Sequence, residues 1–346
     1  MKVTLDISAL RIGMYVNLAG SWLDHPFLRS KFKLESEAQI AEIRRHGLHQ
    51  VVVDLEKSDV VPPQASPTSL SELDYVRHND TPRETPIDPK EQAAPESWTP
   101  ETLVAPELRE AIHDRRMTPE RKSQLVYHHT RQMMERLLEA PTVENIRAGK
   151  EAIRDVSNLV LADQETASAM LRITAHDFYT YTHSVNVGIT GLLLAKALLG
   201  NSDGHDMHEL GAGFFLHDLG KVKVDPAIIN KPARLSEEEM RRMRIHPYQG
   251  YKILKEAEAM SEECRIIVME HHELFDGKGY PKRIGGEQIH IYGRICCIAD
   301  VFDALTAERS YKKAMTPFDA LALMRDKMPN HFDRQLFASF VSLFRA

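Results

Sequence analysis

Cysteine is scarce in this sequence: Cys264, Cys296 and Cys297 are the whole complement of 346 residues, and no two stand at C-x-x-C spacing. A disulfide framework is therefore excluded as the source of stability, and a reducing cytoplasmic compartment fits such usage. All three read as small buried hydrophobes. An excess of one charge is also missing. With 44 basic and 50 acidic residues the net charge is −6, which excludes a broad electrostatic footprint for DNA, RNA or an acidic membrane. An anionic ligand would have to be attracted locally, by metals and a few cationic side chains. Long apolar runs are lacking too. The most apolar helical stretch, Val187 to Leu199, is broken by Lys196 and is too short to span a bilayer. There is no signal peptide at the start and no evident internal repeat, so a soluble protein is expected.

What is present suffices for about two domains, with ordinary hydrophobic and charged fractions of 42% and 27%. Residues 1–57 read as a small α+β module. Met14-Tyr15-Val16-Asn17-Leu18 alternates like a strand, Val51-Val52-Val53-Asp54-Leu55 is β-branched, and Ser36 to His46 places Ile40 and Ile43 at helical spacing. His25 has no partner at ligand spacing and reads as structural. Residues 58–105 carry prolines 62, 63, 67, 82, 86, 89, 95 and 100 in a polar, acidic stretch, which cannot bury enough apolar surface to offset chain entropy and reads as a flexible linker. Helical patterning follows almost to the end. Val126, Met133, Leu137 and Leu138 stripe a connector over 106–144; Ile146, Ile153, Val156 and Val160 open a mainly α domain over 145–346.

Histidine is the residue type in surplus, at 17. Some of it is uninformative. His128–His129 lies on an amphipathic face, and His113–Asp114, His176–Asp177 and His205–Asp206 sit among polar or charged neighbours; Asp206 is suited to capping the next helix. His217–Asp218 differs, because it follows the apolar Leu210-Gly211-Ala212-Gly213-Phe214-Phe215-Leu216. Ionisable groups there need partners, since an unpaired buried charge is costly. Lys221 brings a positive charge to the same point. His183 heads a long apolar helix, His246 precedes Pro247, His271–His272 ends a helix, and Asp300 lies within Ile295-Cys296-Cys297-Ile298-Ala299-Asp300-Val301-Phe302. Imidazoles and carboxylates hold Zn, Fe or Mn, and a carboxylate can bridge two ions. Seven such ligands are too many for one metal and about right for two.

The order H…HD-x-G-K…H…HHE…DG-x-GYP…D, with Asp276-Gly277-Lys278-Gly279-Tyr280-Pro281 as its loop, resembles the HD-GYP family of cyclic di-GMP phosphodiesterases. Asp303-Ala304-Leu305-Thr306 and Arg309-Ser310-Tyr311-Lys312 look like that family's continuation. Residues 5–55 resemble the module of unknown role that often precedes such domains, through Arg11-Ile12-Gly13-Met14-Tyr15-Val16 and Trp22-Leu23-Asp24-His25-Pro26-Phe27. The resemblance implies an all-helical HD-superfamily domain. It implies one metal on His183, His217, Asp218 and Asp300 and a second on Asp218, His246, His271 and His272, with Asp218 bridging. Some members carry a glutamate four residues before the first histidine and bind a third metal; Tyr179 stands there, which predicts two. Iron or manganese suits the ligands, while zinc, nickel and magnesium stay open.

By the same resemblance, two metals would generate hydroxide for in-line attack on a phosphodiester of cyclic di-GMP, giving pGpG, with GMP as an open second product. Lys221, Arg309 and Lys312 would contact phosphate. Gly277 and Gly279 permit backbone angles closed to other residues, and Pro281 stiffens the exit. The loop would bring Tyr280 to the pocket or present a surface to GGDEF-domain cyclases, with homodimer formation left open. Two alternatives are weighed: an HD-type phosphohydrolase of another nucleotide, against which the loop, Arg309 and Lys312 tell, and a non-catalytic cyclic di-GMP-binding adaptor, against which the complete ligand set tells.

Overall fold

Two hydrophobic cores that share no residue divide the chain into Met1–Ser97 and Trp98–Ala346. The computed structural model describes residues 2–6, 9–17, 31–34, 36–45, 50–55, 57–60, 98–174, 180–200, 202–231, 233–307 and 315–344. In the first unit, strands β1 (Lys2–Asp6), β2 (Tyr15–Asn17), β3 (Lys31–Lys33) and β4 (Gln50–Asp54) form an antiparallel sheet in the order β1-β4-β2-β3, with helix α1 (Glu37–Arg45) between β3 and β4 in sequence. Val51 and Val53 are buried while Val52 and Asp54 are half-buried, the period-2 pattern of a sheet with one covered face. Val53 pairs with Val16, and Ile40 and Ile43 of α1 share their core. Strands β1 and β3 were not anticipated from sequence. Leu18, His25 and residues 61–97 of the proline-rich stretch lie outside the described residues.

The second unit is helical: α2 (Pro100–Leu103), α3 (Pro106–His113), α4 (Pro119–Glu139), α5 (Val143–Ala162), α6 (Gln164–Thr174), α7 (Thr180–Leu199), α8 (Met207–Leu216), α9 (Pro226–Ile229), α10 (Glu237–Met243), α11 (His246–Glu256), α12 (Glu262–Glu270), α13 (Ile291–Thr306), α14 (Pro317–Lys327) and α15 (Arg334–Ser342). Its described residues contain no strand. The stripes expected on α4 and α5 point inward, with Val126, Met133, Leu137, Ile146, Ile153, Val156 and Val160 buried and Leu138 half-buried. Side chains cap the helix starts: Thr118, Thr142, Asp206, Ser236, Ser261, Thr316 and Asp333 each accept backbone N–H bonds, and each such cap stabilises its helix by about 1 kcal/mol.

Helix α7 is the axis around which α4, α6, α8 and α13 pack. A Cβ on its Gly188 would come within 2.4 Å of the Phe215 ring, so the glycine is what lets α8 press its aromatic pair into α7. Burial of Phe214 and Phe215 there contributes roughly 2–3 kcal/mol apiece. The helix is longer than its apolar stretch. It begins at Thr180, close to the His183 head expected from sequence, and the polar Thr182, Ser184 and Asn186 are buried in its first turns. Thr182–Leu199 therefore has the length and hydropathy of a membrane span, and 72% of it is buried inside this bundle.

Candidate metal centre

Except for Asp300, which lies inside α13, each candidate ligand sits where a helix begins or ends. His183 is in the first turn of α7, His217 caps the C-terminus of α8, and Asp218 starts the 3-10 turn Leu219–Lys223. His246 opens α11, with Pro247 at a helix-start position that needs no N–H donor. The short charged helix α10 before it is held by a capping box, in which Ser236 Oγ accepts from Glu239 N (3.2 Å) and Glu239 accepts from Ser236 N (2.6 Å). His271 caps α12, His272 follows, and Asp300 lies in the third turn of α13. His217, His246 and His271 are fully buried; His183, Asp218 and Asp300 are nearly so.

The folding of these ends aims one nitrogen of each buried ring at a common point. His217 Nδ1 donates to Phe214 O (2.8 Å), His246 Nδ1 to Met243 O (2.9 Å) and His271 Nδ1 to Val268 O (2.9 Å). A carbonyl only accepts, so Nδ1 carries the proton and Nε2 presents its lone pair inward. His183 Nδ1 donates instead to Asp303 Oδ2 at 2.6 Å. As a result His183 Nε2 and His217 Nε2 lie 3.3 Å apart, and His246 Nε2 and His271 Nε2 lie 3.2 Å apart.

Asp218 stands between these two groups. Its Oδ2 faces His183 Nε2 (3.3 Å) and His217 Nε2 (3.5 Å); its Oδ1 faces His246 Nε2 (3.2 Å) and His271 Nε2 (3.7 Å). Oδ1 is buried without a hydrogen-bond partner. Asp300 joins the halves on another side, with Oδ1 3.3 Å from His183 Nε2 and Oδ2 3.4 Å from His272 Nδ1. Lys221, in the 3-10 turn, forms an ion pair with Asp218 Oδ2.

The electrostatics follow from burial and charge. Burial disfavours the ionised form of Asp218 and Asp300, yet the Lys221 ammonium holds the Asp218 carboxyl well below the usual range, and the bond to His183 does the same for Asp300. Burial pushes His217 down to about 3 and also lowers His246 and His272, so these rings are neutral. His183 goes the other way: burial opposes its charge, but bonds to Asp218, Asp300 and Asp303 raise it well above the ordinary histidine value. Neutral imidazoles and ionised carboxylates are the states that bind metal, so His217, His246, His272 and both carboxylates are ready as they stand, while His183 would give up its proton to a cation. Converging lone pairs and an orphaned carboxylate oxygen are costly without a cation, so the donor set fits a divalent metal. The donor atoms fall into two overlapping groups, each within 4.8 Å of one another: Asp218 with His246, His271 and His272, and His183 with His217 and Asp218.

The hexapeptide loop leaves directly from this centre. A Cβ on Gly279 would fall 2.4 Å from Leu274 N and 2.5 Å from His272 O, so only glycine lets the loop fold back on the ligand pair. Tyr280 N then donates to His272 O (3.1 Å), and the Tyr280 ring lies 4.7 Å from the His272 ring, tilted by 33°. Lys278, at the tip, is 79% exposed.

Several supporting residues escaped the sequence reading. Asp303 was noted without a role; it also accepts from Asn186 Nδ2 (2.7 Å), and Asn186 Oδ1 accepts from Tyr127 OH (2.7 Å). Glu270 and Glu273 flank the ligand pair and grip the far side of the loop: Glu273 accepts from Lys282 N (2.6 Å) and Arg283 N (3.1 Å), and Glu270 from His290 N (2.9 Å) and Lys282 Nζ (3.1 Å). Their signal was position beside His271–His272. Arg309, Lys312, Tyr179 and His176–Asp177 lie outside the described residues. The remaining histidine pairs are elsewhere: His129 bonds Gln132, His205 Nδ1 meets Tyr292 OH at 2.6 Å, and Asp206 caps α8 through His208 N and Glu209 N.

Comparison with known proteins places these features. A family model described as an HD domain matches residues 158–336, and one described as a domain of unknown function, DUF3391, matches residues 2–152. A cyclic di-GMP phosphodiesterase of Pseudomonas aeruginosa is 30% identical over 343 residues, which is 99% of this chain and 76% of the relative. A 3′3′-cGAMP-specific phosphodiesterase of Vibrio cholerae is 37% identical over 48% of this chain and 36% of its own length. A cyclic di-GMP phosphodiesterase response regulator of Xanthomonas campestris is 40% identical over 34% and 32%. Among solved structures, an HDG"Y"P protein from Bdellovibrio bacteriovorus shares the fold, with a TM-score of 0.60 at 16% identity over 100% of both chains.

Proposed function

The chain belongs to the HD-domain family in its HD-GYP form, behind an N-terminal DUF3391 module, and from that premise we propose that it is a metal-dependent cyclic di-GMP phosphodiesterase. The observation that carries this reading is the division of Asp218, one oxygen toward His183 and His217, the other toward His246 and His271. A carboxylate so divided suits a bridge between two cations. One would be held by His183, His217, Asp218 and Asp300, the other by Asp218, His246, His271 and His272. Iron or manganese matches this ligand chemistry, ahead of zinc, nickel or magnesium. When bound, such a pair supplies Lewis acidity and a hydroxide nucleophile at neutral pH.

The side chains do the rest. The Nδ1 bonds fix the orientation of His183, His217, His246 and His271 before any ligand arrives. Lys221 can pivot from Asp218 to the phosphate or the departing ribose oxygen, where its ammonium offsets growing negative charge. Tyr280 walls the pocket on the His272 side and keeps water from that flank. Arg309 and Lys312 serve as further phosphate contacts on the strength of their motif. The product is pGpG, with GMP following if the linear dinucleotide rebinds. Exposed Lys278 fits a loop tip that also meets GGDEF-domain cyclases, and the unpaired thiols fit a cytoplasmic setting.

A second substrate is favoured by one observation, the likeness to 3′3′-cGAMP-specific enzymes. Full-length protein metallated without oxygen should carry two metal equivalents and turn over cyclic di-GMP faster than 3′3′-cGAMP, with pGpG identified by chromatography. A reversed preference selects the mixed nucleotide. Tight binding without turnover of either, and cellular output indifferent to His217→Ala with Asp218→Ala, selects the adaptor.

A further inference from the structure

Three arginines stand close together at the end of α10, and two of them are already committed. Arg241 pairs with Glu238 at 2.5 Å and Arg242 with the same carboxylate at 3.4 Å. Nearby, Lys231 pairs with Glu239 and Lys282 with Glu270. Arg244 is different. It is exposed, and among the described residues no carboxylate lies within ion-pair distance of it. Its guanidinium carbon instead sits 5.3 Å from the centre of the Tyr280 ring.

That ring is the wall of the metal centre. It is 4.7 Å from the His272 ring and edge-on to His246 at 6.3 Å. The backbone ties Arg244 to the same frame, since it caps α10, lies two residues before His246, and follows Met243, whose carbonyl fixes the His246 tautomer. The guanidinium is thus one ring away from the candidate ligands, held by a cation–π contact on an exposed residue. A planar guanidinium held in this way presents paired donors to a pair of oxygens.

We propose that Arg244 is a substrate-binding residue that holds the second, non-reacting phosphate of a cyclic dinucleotide while the first lies at the metals. The proposal rests on the reading of the site given above. It answers a charge requirement: a chain of net charge −6 must hold a dianion, and the metals neutralise only the phosphate they touch. A stacked arginine at the rim adds its counter-charge to those of Arg309 and Lys312 at little entropic cost, because Tyr280 already restrains it.

The test uses full-length, metal-loaded protein with Arg244→Gln, which removes the charge, and Arg244→Lys, which keeps it. Arg244→Gln should raise KM for the cyclic dinucleotide about tenfold with kcat little changed, and the difference should shrink as salt is raised. Arg244→Lys should recover part of the loss. Hydrolysis of bis(p-nitrophenyl) phosphate, which has one phosphate, should be the same in all three proteins, as should metal content. Calorimetric binding of cyclic di-GMP reads the contact without turnover and should weaken about tenfold in Arg244→Gln. Equal affinity of wild type and Arg244→Gln overturns the proposal. So does a parallel loss on both substrates, which would make Arg244 only a prop for Tyr280. Wild-type binding without hydrolysis refutes the phosphodiesterase reading alone, while no binding by wild type refutes both.

Discussion

His183 takes its aim from a residue three places beyond Asp300 on the same helix. Asp303 accepts its Nδ1–H, Asn186 donates to the other Asp303 oxygen, and the Tyr127 hydroxyl donates to Asn186. The relay is buried from end to end, so each link left unpaired would cost about 1–3 kcal/mol. Asp303→Ala leaves His183 without an anchor and Asn186 without an acceptor. The expected result is a metal affinity about 10–100-fold weaker for one of two equivalents, with the other retained, because only the His183–His217 half depends on Asp303. Metal analysis after graded chelation measures this; equal loss of both equivalents, or of neither, counts against the relay. The ligands themselves were legible in the chain because imidazoles and carboxylates interrupt apolar runs where burial leaves them few other uses. Asp303, Asn186 and Tyr127 were not. Asp303 is 120 positions from His183 and Tyr127 is 59 from Asn186, and hydrogen bonds across such separations leave no periodic trace.

At the scale of elements, the helix ends build the centre and the loop closes it. The stripes on α4 and α5 and the Asp206 cap of α8 could be read in advance because they depend on local spacing and capping. Strands β1 and β3 could not: β3 has three residues, two of them lysines, and its pairing with β2 depends on tertiary context. The loop was legible as a turn but not as a structure folded onto His272. Its tightest point is Gly279, whose added Cβ would meet backbone atoms of His272, Glu273 and Leu274, none of which can rotate away. Gly279→Ala should therefore displace the loop, destabilise the domain by roughly 1–3 kcal/mol and lower turnover as Tyr280 leaves the His272 ring. Lys278→Ala at the exposed tip should leave the melting temperature unchanged. Thermal melts of both variants check this. If the two behave alike, the close approach at Gly279 is not what fixes the loop.

For the molecule as a whole, the three cysteines report on one unit only. Cys264, Cys296 and Cys297 all belong to Trp98–Ala346, and all are buried in its core. Burial pushes the Cys264 thiol up to about 11 and raises Cys296 and Cys297 as well. The thiolate is the reacting species, so labelling near pH 8 is slow for two reasons, exclusion of the reagent and scarcity of thiolate. An aromatic disulfide reagent should titrate no thiol in the native protein and three after denaturation. The slow labelling rate in native buffer then measures opening of the helical core. Because that core is closed by its own residues, from Leu103 to Phe340, a fragment of residues 98–346 should fold, keep its metal and label at the rate of the full chain. Faster labelling of the fragment would mean that the first unit contributes to the stability of the second. An equal rate would assign the folding free energy of the metal centre to the helical unit alone.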